Sequence, residues 1–164
     1  MSNVIAVSMV KDEADIVAGT LRHMAGEVDE MIVADNGSTD GTREILDDLS
    51  RELPLTVVDD PDPAYYQSLK MTALARQAVD RGAVWVVPFD ADELWWSPYG
   101  RIADVLRAEG DANVAVAPLF NHIASALDED DPDPFRSMVW RQREPGALGK
   151  VAVRWEPGTV IDQG

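Results

Sequence analysis

Val84-Trp85-Val86-Val87-Pro88-Phe89 runs straight into Asp90-Ala91-Asp92-Glu93, and earlier Met31-Ile32-Val33-Ala34 runs into Asp35-Asn36-Gly37-Ser38-Thr39-Asp40-Gly41-Thr42. Short apolar runs rich in Val, Ile and aromatics, closed by Asp, Asn and Gly, read as buried parallel strands with polar loops at their carboxyl ends. In an open α/β sheet that edge is where ligands bind. Two carboxylate-bearing loops on one edge suggest a nucleotide held at one and a metal at the other.

The same alternation extends in both directions. Val4 to Met9 reads as a first strand, and residues 12–25 predict a helix with Ile16, Val17, Leu21 and Met24 on one face and acids in its first turn. Asp40 is placed to cap a helix striped by Ile45, Leu46, Leu49 and Leu53, which Pro54 ends. Leu55 to Val58 forms a third strand, and Met71, Leu74, Ala75 and Ala78 mark a helix stopped by Gly82. A helix over about 99–109 and a strand from Val114 to Ala117 follow. The pattern predicts an α/β fold, a three-layer α/β/α mostly parallel sheet. Beyond residue 120 the rhythm is lost. Asp128 to Pro134 reads as a loop, while Met138 to Arg141 and Val151 to Arg154 read as late antiparallel strands, a short antiparallel C-terminal portion.

A chain of 164 residues is enough for one domain and its core. No apolar run reaches the roughly 18 residues of a membrane span and no charged-then-apolar leader opens the chain, so a cytoplasmic protein is expected. The absence of cysteine excludes disulfides, thiolate zinc sites and a cysteine nucleophile, and the two histidines, His23 and His122, are too few for a histidine-rich metal site. The net charge of −16 argues against nucleic acid or an anionic membrane as partner. It also means that a nucleotide diphosphate ligand needs a divalent cation or well-placed arginines to offset repulsion.

Asp-x-Asp occurs four times among twenty aspartates, so the pattern alone carries little. The pair Asp90 and Asp92 differs because it ends the most hydrophobic strand, and hard oxygen donors suit Mg²⁺ or Mn²⁺. Asp35 and Asn36 suit the edge of a base or a ribose hydroxyl, because a carboxylate accepts and an amide both donates and accepts. Lys11-Asp12-Glu13 leaves the first strand at the same edge, and Arg76 offers a fork for phosphate. No GxGxxG, GxxxxGK[ST] or GxSxG motif is present, which removes support for dinucleotide, P-loop and serine-hydrolase chemistry.

As a set, Val7 to Glu13, Val33 to Thr42, Ala75-Arg76-Gln77 and Phe89 to Glu93 resemble family 2 glycosyltransferases of the GT-A fold, over roughly residues 3 to 110. The resemblance implies a nucleotide-sugar donor (a UDP-, GDP- or dTDP-sugar), a Mn²⁺ or Mg²⁺ ion on its diphosphate, and inversion at the anomeric carbon. It divides a single domain, residues 1–164, into a nucleotide-sugar-binding half (1–110) and a partial acceptor-side half (111–164). By that resemblance Lys11, Asp12, Glu13, Asp35 and Asn36 line the nucleoside pocket, and Arg76 lies near the diphosphate. Asp90 serves the ribose or the metal's waters, and Asp92 ligates the metal. The family more often carries Asp at position 36. Its catalytic base is not assigned, the late acids Asp128 to Asp131 and Glu156 being the only candidates. A third metal ligand, often histidine in this family, falls near or after residue 164, so the chain reads as truncated. Two rivals remain: a haloacid-dehalogenase-like phosphotransferase using Asp90 and Asp92, and a non-catalytic nucleotide- or metal-binding fragment.

Overall fold

Strand β1 (Asn3–Val10) is buried along nearly its whole length and sends alternate side chains into opposite layers. Val4, Ala6 and Val10 face one core cluster, whereas Ile5 and Val7 face another. The computed structural model describes residues 3–62, 64, 66–126 and 134–162. After β1 come α1 (Val17–Glu27), β2 (Glu30–Asp35), α2 (Thr42–Leu49), β3 (Leu55–Asp59), α3 (Gln67–Asp80) and β4 (Ala83–Pro88). The chain continues through α4 (Ile102–Ala108), β5 (Val114–Pro118), the single turn α5 (Pro134–Ser137) and β6 (Gly149–Arg154).

The six strands form one sheet in the order β3-β2-β1-β4-β6-β5. β1 to β4 pair in parallel, while β6 runs antiparallel to both β4 and β5. Leu21 and Met24 of α1, Leu46 and Leu49 of α2, and Ile102 and Leu106 of α4 cover one face. Met71, Leu74, Ala75 and Ala78 of α3 cover the other, joined by Ile161. The three-layer, mostly parallel α/β/α sheet with an antiparallel end is therefore what the apolar alternation specified.

Three expectations need correction. The first helix begins at Val17, because residues 12–16 form a loop in which the backbone N–H groups of Ile16 and Val17 close on Glu13 O; the acids thus precede the helix. Gly41, at φ 105°, rather than Asp40 precedes the first turn of α2. Met138 to Arg141 is no strand. His122 and Arg141 make one isolated bridge, and β5 and β6 already complete the sheet beside β4, so Val139 and Trp140 stay exposed.

At the opposite, amino edge of the sheet Asp29 ties the layers together. Its Oδ2 accepts the Val4 N–H at 2.9 Å and an Arg107 guanidinium, and its Oδ1 lies 3.3 Å from Arg101. Burial alone would raise this carboxyl, but the Val4 hydrogen bond and the two arginines outweigh it and hold it below the ordinary value. A depressed carboxyl stabilises the fold above its unfolded pKa and loses that contribution as pH falls through the folded one. Asp29→Ala should therefore destabilise the chain by about 2–3 kcal/mol at pH 7. In denaturant melts the gap from wild type should close in strong acid.

Candidate functional site

Parallel pairing delivers the segments after β1, β2, β3 and β4 to one edge, and the first two are laced together by hydrogen bonds. Asp12 holds a left-handed backbone (φ 55°), and its N–H donates to Ser38 Oγ at 3.0 Å. Its Oδ1 accepts the Thr39 N–H at 2.7 Å. The Glu13 N–H donates to Thr42 Oγ1 at 2.8 Å, and the Ala14 N–H to Asp40 Oδ2 at 3.0 Å. Asp40 Oδ1 also receives the Thr42 hydroxyl at 2.6 Å. Ser38 to Thr42 is thus the clasp that fixes the loop after β1, a role beyond the turn-and-cap part that the sequence suggested.

Asp35 is buried, and its Oδ1 accepts the Ser38 N–H at 3.0 Å while Arg43 approaches Oδ2 at 3.9 Å. Asn36 is buried beside it and reaches sideways. Its amide nitrogen donates to Asp60 Oδ2 at 2.9 Å and to Asp62 O at 2.6 Å. Lys70 Nζ, from the first turn of α3, meets the same two acceptors, each at 2.6 Å. This explains the departure at position 36: an aspartate there would set a second carboxylate against Asp60, whereas the amide supplies a donor.

After β4, the turn from Asp90 to Glu93 closes on itself. The Glu93 N–H donates to Asp90 O at 3.1 Å, and the Asp90 N–H to Glu93 Oε2 at 3.3 Å. Lys150 enters from β6 and places Nζ 2.7 Å from Asp90 Oδ2 and 3.1 Å from Glu93 Oε1. Its approach depends on Gly149, where a Cβ would meet Ala117 O at 2.7 Å across the β5–β6 pair. Glu93 and Lys150 also line a cavity of about 290 Å³ with Pro88, Leu119, Leu148 and Val151. Asp92 stands exposed at the turn's apex with no hydrogen bond or ion pair to any described residue.

The electrostatics follow from this crowding. Burial, then the charges of Asp92, Asp15, Asp40 and Asp90, push the Glu13 carboxyl above its ordinary value. Burial and Asp90 likewise raise Glu93 despite Lys150. Burial by itself lowers the Lys150 ammonium, but Asp90 and then Glu93 outweigh it and leave it raised. Among the described residues no three His, Asp or Glu side chains converge as a ready metal cage. Mg²⁺ and Mn²⁺ do not need one, since they commonly take one or two carboxylates and complete their shell with water and phosphate. Asp92, whose charge reaches Glu13 across the edge, fits that donor set.

The structure gathers Asp12, Glu13, Asp35, Asn36, Asp90 and Asp92 at this edge, with Lys11 exposed beside them. Arg76 makes no ion pair with a described residue. It is exposed on α3 and lines a groove with Tyr66, Thr72 and Val160, while Lys70, on the same helix, pairs with Asp60. Trp95 is 6% exposed and Trp96 70%, so only the first of the pair is core. His23 bonds Trp95 O at 2.7 Å and His122 bonds Met138 O at 2.7 Å, both structural contacts. Of the late acids, Asp128 to Asp131 lie outside the described residues, and Glu156 accepts from Asn113 at 2.9 Å. Lys150 was not legible as a site residue. Its one signal is a lone cation in the otherwise apolar run Val151-Ala152-Val153 and its approach.

A family model described as "Glycosyl transferase family 2" matches residues 6–153. Among solved structures, S. aureus TarS 1-349 superposes with a TM-score of 0.61 at 16% identity, covering 79% of this chain and 40% of that 1-349 chain. The same protein in complex with UDP-GlcNAc gives a TM-score of 0.61 at 16% identity, covering 79% and 39%. At that identity the likeness is one of fold. The chain spans about two fifths of the length of these TarS chains. No curated protein sequence matches it. No helix among the described residues is long and apolar enough to cross a membrane.

Two substitutions test this geometry. Thr42→Val keeps the shape but strands the Glu13 N–H, and should cost about 1–3 kcal/mol in chemical denaturation. Glu13→Gln should raise the metal-free melting temperature at pH 7, because a carboxyl raised in the folded chain weakens the fold once ionised. That gain should vanish as pH drops below the ordinary carboxylate range.

Proposed function

The chain belongs to glycosyl transferase family 2, and from this we propose that it binds a nucleotide-sugar donor through a divalent metal and takes part in inverting transfer of the sugar to an acceptor. The observation that carries the reading is the convergence of Asp12–Glu13, Asp35–Asn36 and Asp90–Asp92 on one carboxyl edge. A parallel sheet presents ligands there. The crystallised complexes of TarS with UDP-GlcNAc and UDP support a nucleotide-sugar as the donor class.

On this reading Asp35 and the backbone laced around Asp12 form the nucleoside wall. Asn36 acts mainly by holding the loop after β3, with Lys70 beside it. Asp92 is the metal ligand, and Mn²⁺ or Mg²⁺ would screen the diphosphate and stabilise the charge of the leaving group. The metal also answers the −16 net charge, which by itself opposes an anionic donor. We place the protein in the cytoplasm. The phosphotransferase alternative has one supporting contact, Lys150 on Asp90, but the family match over residues 6–153 outweighs it.

The test is a thermal-shift panel of UDP, GDP, dTDP and CDP, each with and without Mn²⁺. One diphosphate should stabilise the chain only when the metal is present, and Asp92→Asn should abolish that shift. Equal shifts without metal would exclude the metal-bridged mode. No shift with any nucleotide would leave the family fold without donor binding.

A further inference from the structure

Among the described residues Lys150 is the one cation that touches the acidic turn, and it comes from β6, 60 residues further along the chain. Both it and Glu93 are largely withdrawn from solvent, at 15% and 13% side-chain exposure. An ammonium in that position does two things. It occupies Asp90 Oδ2 at 2.7 Å, and it sets a fixed positive charge where any metal ion shared between Asp90 and Asp92 would have to sit nearby. Of the three carboxylates of the turn, Asp92 is the one with no hydrogen bond or ion pair to a described residue.

We propose that Lys150 is the resident counter-cation of this turn, a positioning residue that holds Asp90 and Glu93 and so leaves Asp92 as the carboxylate on which a divalent metal is taken, in company with the phosphates of a ligand. The clause about phosphates rests on the donor reading above; the claim about Lys150 does not. Removing one positive charge at this distance removes a repulsion and frees a carboxylate. Both effects raise the affinity for a bare divalent ion.

The experiment is a titration of the chain with Mn²⁺ alone, reading free Mn²⁺ by electron paramagnetic resonance. The unsubstituted chain should bind weakly, and Lys150→Met should bind about tenfold more tightly or better. Lys150→Gln keeps hydrogen bonding while losing the charge, so it should show the same gain and stands in should the methionine variant fail to fold. Lys150→Arg should stay at the original affinity. Adding Asp90→Asn to either neutral variant should return binding to the original level. Unchanged or weaker binding in a neutral variant with an intact circular-dichroism spectrum overturns the proposal, as does a gain that survives Asp90→Asn. A chain that shifts with no nucleotide yet gains Mn²⁺ affinity in Lys150→Met loses the donor reading and keeps this one. A chain that shifts with a diphosphate but shows no gain does the reverse.

Discussion

Everything at the candidate site depends on parallel pairing. Because β1 to β4 all run the same way, each must release its following loop at the same edge. Segments separated by dozens of residues thereby become neighbours without any contact designed between them. The central strand can do this because it is apolar on both faces, with Val4 and Ala6 serving one layer and Ile5 and Val7 the other. A polar substitution in that strand has no solvent face to turn to.

The consequence is a concentration of like charge. Glu13, Asp90, Asp92 and Glu93 share one edge, and burial, then that like charge, raises the carboxyls of Glu13 and Glu93. The chain relieves it in two ways. The Thr39 N–H and the Asn36 amide donate to Asp12 and Asp60, and the Ser38 and Thr42 hydroxyls accept the Asp12 and Glu13 N–H groups, none of which adds negative charge. Lysines then meet the remaining carboxylates, Lys70 at Asp60 and Lys150 at Asp90 and Glu93. Of the acids sharing the edge, the carboxylates of Glu13 and Asp92 are left without an ion pair among the described residues.

Much of this was legible in the sequence, and the limits have physical causes. Buried parallel strands show as continuous apolar runs, so β1, β2, β3 and β4 could be read directly. Met138 to Arg141 shows the same local pattern and forms no strand: β6 takes the place beside β4, and the segment makes only the His122–Arg141 bridge. Arg76 and Lys70 stand on one helix, and only the fold shows that it is Lys70 that meets Asp60. Neither spacing nor residue type distinguishes them.

By itself the sequence determined the layer order, the edge that gathers the carboxylates and the family, since each follows from local runs and the residues that end them. Tertiary structure decided the pairings: Asn36 with Asp60, the Ser38 to Thr42 clasp on the loop after β1, and Lys150 with Asp90. Those contacts join residues whose separation carries no periodic signal. The first two exist because parallel pairing lays the loops after β1, β2 and β3 side by side, and the third because the antiparallel β6 beside β4 brings an ammonium to the acidic turn.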